Sequence, residues 1–449
     1  MYETETKKGK MKMLLKIVFP ILVTQVAMFL VTFFDIYMTA RYGTDDLAGV
    51  SIGSSFWVPV YIGLAGILMS ITPIVAQLMG AKKKDQVKDM VQQGIYLALL
   101  LAVAVFFFFL FGVDWLLGFM ELEPTVYEVA SEYIFAMSLG LIPLFVYSAL
   151  RSYIDALGST RISMFISLIS APINILFNYL LIFGNFGFPE LGGIGAGYAS
   201  AITYWLVLFI VVWIVRTKKP FASFAIFKGW AKPAFSKIAE ISRIGIPIGI
   251  SIFAETSIFS AVTLMMSTYG TITIAAHQIA INFTSLLYML PLSISMGATI
   301  LVGFEVGAKR FHDAKQYSWL SVGAAIGFSF VSACILFFMR EQIAALYSDD
   351  PAVITLAVQF LVFAALFQLS DAIQAPVQGA LRGYKDVNIT FIMALISYWV
   401  IGLPVGYLLA RYTDFEAFGF WIGLIAGLTA GAITLSIRLN MIQKKIAAQ

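Results

Sequence analysis

Charge is scarce in this 449-residue sequence: Asp, Glu, Lys and Arg together make up 12% of it, against about a quarter in an ordinary soluble domain. Cysteine is scarcer still, since Cys334 alone excludes an intramolecular disulfide and leaves the redox compartment unmarked. The two histidines, His277 and His312, lie near the ends of apolar runs without metal-ligand spacing. No phosphate loop is present. The run Gly192–Gly197 opens an apolar stretch with no strand before it, so it reads as helix packing and not as a dinucleotide fingerprint. What is abundant is apolar: 60% hydrophobic residues, 39 Phe, 8 Trp and 18 Met, with mean hydropathy +0.89. That exceeds what a globule can bury and excludes a soluble enzyme, a nucleic-acid binder and a disordered scaffold.

Runs of about 20 apolar residues, the length that crosses a bilayer as a helix, recur twelve times. The predicted spans are 14–38, 47–72, 90–113, 128–150, 162–183, 194–215, 244–267, 274–302, 316–339, 352–379, 388–410 and 417–437. The first follows a lysine-rich start but is too long for a signal peptide and lacks a cleavage site, so it is expected to be a retained helix. With the N-terminus inside, alternate loops hold 26 of the 29 Lys and Arg, including Arg151 and Arg382; Arg41, Arg340 and Arg411 are the exceptions. External loops are acidic instead, through Asp45, Asp46, Glu121, Glu123, Asp349 and Asp350. Both termini are therefore expected in the cytoplasm. The +4 net charge is an orientation signal and needs no nucleic acid.

The second half repeats the first at one fixed shift, the separation of Pro20 from Pro247. At that shift Tyr42-Gly43 falls on Tyr269-Gly270, Phe56 on Phe283, and Gly80-Ala81-Lys82 on Gly307-Ala308-Lys309. Further on, Ala156-Leu157 meets Ala380-Leu381 at a slightly shorter shift. Six spans separate equivalent points. The expected fold is all-α integral membrane, with 12 transmembrane helices in two six-helix bundles related by a pseudo-two-fold axis along the membrane normal. The lobes are placed at 1–222 and 244–449, with a basic cytoplasmic linker at 223–243. Duplication of this kind implies a transporter with alternating access, not an enzyme.

Three acids lie inside spans: Asp35, Glu255 and Asp371. A lone carboxylate in a bilayer costs roughly 2.5 kcal/mol or more, so such groups face a cavity, carry a proton or bind a cation. No Lys or Arg is expected at their depth. They also break the repeat, because Asp35 aligns with Val262 and Glu255 with Met28, which favours function over fold as their reason. Asn174 and Asn178 are one helical turn apart and near Asp35 in depth. A carboxylate with two amide carbonyls suits Na+ or a bound proton, and the same pair also suits helix-to-helix hydrogen bonding. Pro20, Pro59, Pro172, Pro247, Pro376 and Pro404 mark candidate hinges, and Pro20 with Pro247 stand out by sharing a repeat position. Phe253, Phe259, Met265, Met266, Tyr288 and Met289 are candidates for a cavity wall. Methionine and ring faces hold varied organic cations.

Several stretches resemble the multidrug and toxic compound extrusion (MATE) family. They are Phe34-Asp35, Asp46-Leu47-Ala48-Gly49-Val50, Pro73 through Ala81, and Gln374 through Gly383 following Asp371. The pairing of Glu255 with Asp371 is similar to the NorM-type branch. The resemblance implies antiport, in which inward Na+ or H+ drives cationic drugs or dyes outward with no other cofactor. It implies an N-lobe ion site at Asp35, Asn174 and Asn178, and a C-lobe site at Glu255 and Asp371, either of them a place for Na+. Members of that branch can carry a tyrosine where this chain has Phe367, so proton coupling stays open beside Na+. Phe367 joins the candidate cavity wall.

Three rivals remain for comparison. A major facilitator would show Gly-x-x-x-Asp-Arg-x-Gly-Arg where Gly80-Ala81-Lys82-Lys83-Lys84-Asp85 stands. A lipid-linked oligosaccharide flippase would want arginines in its cavity. A membrane-embedded enzyme would need a nucleophile with a base, or a metal cluster. The expected protein is a multi-pass, monomeric plasma-membrane exporter surrounded by lipid.

Overall fold

The computed structural model describes residues 5–449, save for the side chains of Ser267 and Thr271. Every regular element among the described residues is helical. The first half contains α1 (Lys7–Tyr42), α2 (Thr44–Leu68), α3 (Ile71–Gly80), α4 (Lys84–Gly118), α5 (Pro124–Ser138), α6 (Leu141–Ala156), α7 (Thr160–Phe183) and α8 (Gly193–Thr217). After a 3-10 turn at Phe221–Phe224 come α9 (Phe235–Met266), α10 (Thr271–Gly307), α11 (Phe311–Phe338), α12 (Arg340–Tyr347), α13 (Pro351–Gly383), α14 (Asn388–Leu395), α15 (Leu403–Tyr412) and α16 (Ala417–Ala447). Eleven spans are long and apolar enough to cross a membrane, and the bent pair α5–α6 makes a twelfth. The expected count stands. The helices outrun the predicted spans: α1, with 36 residues, is about 54 Å long, against a hydrocarbon core of about 30 Å. The short helix α12, between α11 and α13, is an addition that apolar periodicity does not reveal.

Two prolines break helices, and neither is among the candidate hinges. α5 and α6 bend by 49°. Pro143 offers no N–H to the Leu139 carbonyl and its ring crowds that oxygen. Trp205 Nε1 donates to it instead at 3.0 Å, which satisfies a carbonyl that lipid would leave unpaired. Pro73 stands in the same relation to Met69, at the break before α3. By contrast Pro20, Pro59, Pro172, Pro247 and Pro376 lie inside unbroken helices. Pro404 follows a π-helical stretch, Ile396–Gly402, between α14 and α15, where the wider turn absorbs the missing donor.

The chain forms two compact units. One is Val23–Gly249; the other combines the segment up to Leu22 with Ile250–Gln449. Helices α1 and α9 are thus each divided between units. The two changeovers occupy one repeat position, just beyond Pro20 and Pro247. Each exchanged segment carries a lysine at one repeat position. Lys10 Nζ meets Asp313 Oδ1 at 3.0 Å in one unit, and Lys237 pairs with Asp89 in the other.

The repeat holds further than side-chain identity suggests. After α3 the chain closes with Ala81 N–H to Gln77 O, Lys82 N–H to Met79 O and Lys83 N–H to Leu78 O, with Lys82 at φ 59°. The same three bonds recur after α6, α10 and α13, at Leu157–Ser159, Ala308–Arg310 and Tyr384–Asp386. The left-handed residues there are Gly158, Lys309 and Lys385. This is a helix C-cap that satisfies the last carbonyls. Both pairs of caps keep the separation of Pro20 from Pro247. The change of shift expected at Ala156-Leu157 is therefore corrected: Gly383-Tyr384 is their partner. The two-residue match is a coincidence of common apolar residues. The shift does shorten later, between the starts of α8 at Gly193 and α16 at Ala417.

The glycine run packs as expected. A Cβ on Gly195 would lie 2.5 Å from the Leu181 carbonyl oxygen, so α7 and α8 touch at backbone distance. The linker is no loose tether. Gln92 and Gln93 of α4, both 0% exposed, bind Ile226 O, Ala231 N, Lys232 O and Ala234 N at 2.8 to 3.1 Å. Phe221 and Phe224 clasp Tyr153. Replacing both glutamines with alanine strands buried backbone groups at about 1–3 kcal/mol each. Limited proteolysis at residues 225–234 should then accelerate by about tenfold or more; an unchanged cleavage rate would show the linker docks by its aromatics alone.

Candidate functional site

Within the unit Val23–Gly249 the site forms around Asp35 of α1. Asn174 and Asn178 lie on one face of α7, 1% and 0% exposed, and both donate through Nδ2 to Asp35 Oδ1 at 2.6 Å. Ser200 of α8 also reaches this carboxyl. Thr203 Oγ1 supports Asn174 Oδ1 at 3.5 Å. The three residues singled out in the sequence therefore meet, but with the amide nitrogens toward Asp35 rather than the carbonyl oxygens expected of a cation cage. Two N–H donors suit an ionised carboxylate. Asn178 Oδ1 is left buried without a hydrogen-bond partner. A half-turn of that amide would bring oxygen to oxygen, which is favourable only with a proton or cation between them. The cluster can therefore hold the carboxylate charged, or rearrange around a positive ion.

In the other unit Glu255 of α9 accepts Gln378 Nε2 of α13 through Oε1 at 2.7 Å. Asp371, two turns earlier on α13 and 6% exposed, is within electrostatic range of Glu255. Tyr288 of α10 and Tyr398 of the π-helical stretch lie within electrostatic range of both acids, and Tyr398 Oη donates to Gln374 Oε1 at 3.2 Å. Glu255 and Asp371 are thus brought together. Tyr398, Gln374 and Gln378 were missed as site members, although the glutamines recur one turn apart after Asp371 and supplied that signal.

The expectation that no base lies at this depth is corrected. Arg382 belongs to the last turn of α13, not to a loop; it is 7% exposed and acts electrostatically on Glu255. Arg151 likewise sits in α6 and pairs with Asp155, Nε to Oδ2 at 3.5 Å. Counting charges by loop could not see this, because both arginines fall within a turn of a predicted span end.

The candidate wall residues separate. Tyr288 stands among the acids. Phe367 is 3% exposed and packs edge-on against Phe259 and Trp421, with ring centroids at 5.8 and 6.2 Å; it is a core residue. Met265 and Met289 are half-buried and Phe253 is exposed, while Met266 is wholly buried. His277 has a structural place: Trp421 Nε1 donates to its Nδ1 at 3.1 Å and Thr263 Oγ1 meets its Nε2 at 3.1 Å.

A duplicated, all-helical chain of membrane spans, with an amide-held carboxylate inside a span of each unit, has the architecture of a polytopic membrane transporter. The chain belongs to the MatE family, whose domain matches it twice, at residues 20–180 and 247–408; both matches begin at the prolines of the repeat. It is 55% identical over 449 residues to a probable multidrug resistance protein NorM of Bacillus anthracis, covering 100% of this chain and 99% of that protein. It is 54% identical over 446 residues to the protein of the same name in Bacillus subtilis strain 168, covering 99% and 98%. Among solved structures, the outward-facing conformation of a multidrug resistance MATE family transporter of the MOP superfamily matches with TM-score 0.90 at 17% identity, covering 98% of this chain and 97% of that one. The eukaryotic MATE transporter AtDTX14 matches at 0.88 and 20%, covering 98% of each chain. At these identities the structures speak for the fold alone.

Proposed function

We propose that this protein is a multidrug exporter of the plasma membrane that expels amphipathic organic cations in exchange for inward Na+ or H+. The observation that carries the reading is a carboxylate inside a membrane span of each unit, Asp35 on Asn174 and Asn178 and Glu255 on Gln378. Such groups persist in a bilayer only where water, a proton or a cation reaches them. The names of the relatives, at 54–55% identity across essentially the whole chain, support drug export as the outcome. In this mechanism ion and substrate compete for the carboxylates, and a ligand moves the protein between states only by its differential affinity for them. The basic loops support a cytoplasmic position for both termini, and the acid cluster that each unit holds for itself supports a monomer.

The test is efflux of ethidium and norfloxacin from proteoliposomes under separately imposed pH and Na+ gradients. Export driven by one of them is expected. Equal dye loss with and without both gradients would refute antiport.

A further inference from the structure

Superposing the repeat positions pairs residues that look unrelated in the sequence. At the shift that carries Pro20 onto Pro247, Glu255, Gln378 and Arg382 correspond to Met28, Arg151 and Asp155. The contact is the same in both units. Gln378 Nε2 reaches Glu255 at 2.7 Å, and Arg151 Nη1 reaches the Met28 sulfur at 3.5 Å. The charges are rearranged. In the unit Val23–Gly249 the guanidinium and its carboxylate, Arg151 and Asp155, are i and i+4 on α6, and Ser163 Oγ donates to Asp155 Oδ1 at 2.7 Å. That pair is closed on a single helix. In the other unit the i and i+4 positions of α13 hold Gln378 and Arg382, and the carboxylate has moved to α9.

Arg382 is 7% exposed and makes no side-chain hydrogen bond among the described residues. A buried charge without a partner costs several kcal/mol, so its countercharge must be electrostatic. The groups facing Glu255 are Gln378, Arg382 and Asp371 from α13, Tyr288 from α10 and Tyr398 from the π-helical stretch. Arg382 is the one cation among them.

We propose that Arg382 is a positioning residue that serves as a built-in competitor of the transported cations: its guanidinium, one turn beyond the Gln378 that holds Glu255, weakens cation binding at that carboxylate. This rests on the exchange reading above. Glu255 and Asp371 alone would make a strongly anionic site that holds a cation too tightly to release it. A fixed cation nearby brings the affinity into the range where the ion can leave.

The test titrates purified protein with H+ and with Na+, reading tryptophan fluorescence; Trp399 Nε1 donates to Ala254 O at 3.2 Å, next to Glu255. In Arg382→Gln the half-saturating concentration of the bound ion should fall by about tenfold, the size of effect that loss of one neighbouring charge has on a buried site. Arg382→Lys keeps the charge and should stay within about twofold of wild type. Arg382→Met, apolar and of similar length, is the second charge-free variant if the glutamine variant does not fold. A folded Arg382→Gln or Arg382→Met protein with the wild-type midpoint overturns the proposal. So does a lysine variant that shifts as far as the glutamine one, or a wild type that does not titrate. Failure of driven efflux with these titrations intact would sink the export reading instead.

Discussion

Replacing Glu255 with glutamine is expected to collapse ion-driven export by about tenfold or more, since coupling free energies of about 1–3 kcal/mol correspond to roughly 5–150-fold effects. The substitution preserves side-chain length and leaves an oxygen to accept from Gln378 Nε2, a bond of 2.7 Å in the parent. What it removes is the charge. Without it neither Na+ nor an exchangeable proton has a reason to reside on α9, and Asp371 is the one carboxylate left in that cluster. A neutral amide is cheaper to bury than a carboxylate, but it leaves Arg382 without its countercharge, so folding is checked beside transport. The measurement is gradient-driven dye efflux beside size-exclusion profiles of the same preparation. A monodisperse Glu255→Gln protein that exports at the parent rate would remove Glu255 from the coupling site. Asp371→Asn and Asp35→Asn extend the comparison, and if all three retain driven export the assignment of the acids fails as a whole.

Gly379→Ser should destabilise the protein by about 1–3 kcal/mol, lowering the unfolding midpoint in detergent by about 1–3 °C, although serine is the natural residue at the equivalent position. Thr299 Oγ1 of α10 donates to Gly379 O at 2.7 Å, and at the same repeat position Thr72 Oγ1 donates to Ser152 O at 3.4 Å. The two helix pairs share one bond at different spacings. A Cβ on Gly379 would fall 2.2 Å from the Ser295 carbonyl oxygen, which backbone cannot yield to cheaply. Helices α10 and α13 would have to separate, moving Gln378 and Arg382 with them, so export should fall too. Ser152→Gly, where the helices already stand apart, should change the midpoint little. Equal effects of the two substitutions would show that the spacing difference carries no energy.

Most of the fold was legible because the bilayer imposes a coarse rule: about 20 apolar residues per crossing, and bases kept to one side. That rule located all twelve spans and, through the fixed shift from Pro20 to Pro247, the duplication. It does not say which prolines interrupt a helix. Pro73 and Pro143 break their helices while Pro20 and Pro376 do not, because the outcome depends on what takes up the freed carbonyl, as Trp205 does for Leu139. It also misplaced Arg151 and Arg382, since a hydropathy boundary is blind to the last turn of a helix. At Ala156-Leu157 residue identity hides the repeat shift, which the backbone closure of the helix end decides.

The site divides the same way. Carboxylates inside apolar runs are visible to anyone reading the chain, because water is the only other place they are at ease; Asp35, Glu255 and Asp371 needed no structure. Asn174 with Asn178 followed from the 3.6-residue turn. What only the tertiary structure decided is which groups surround each acid. It turned the amide nitrogens of α7 toward Asp35, sank Phe367 into the core beside Trp421, and set Arg382 near Glu255 from a helix far along the chain. The cost of burying a charge is local and can be read from the sequence. The partner that offsets it is chosen by packing across helices, and the residues of one chain do not announce which of their distant neighbours they will meet.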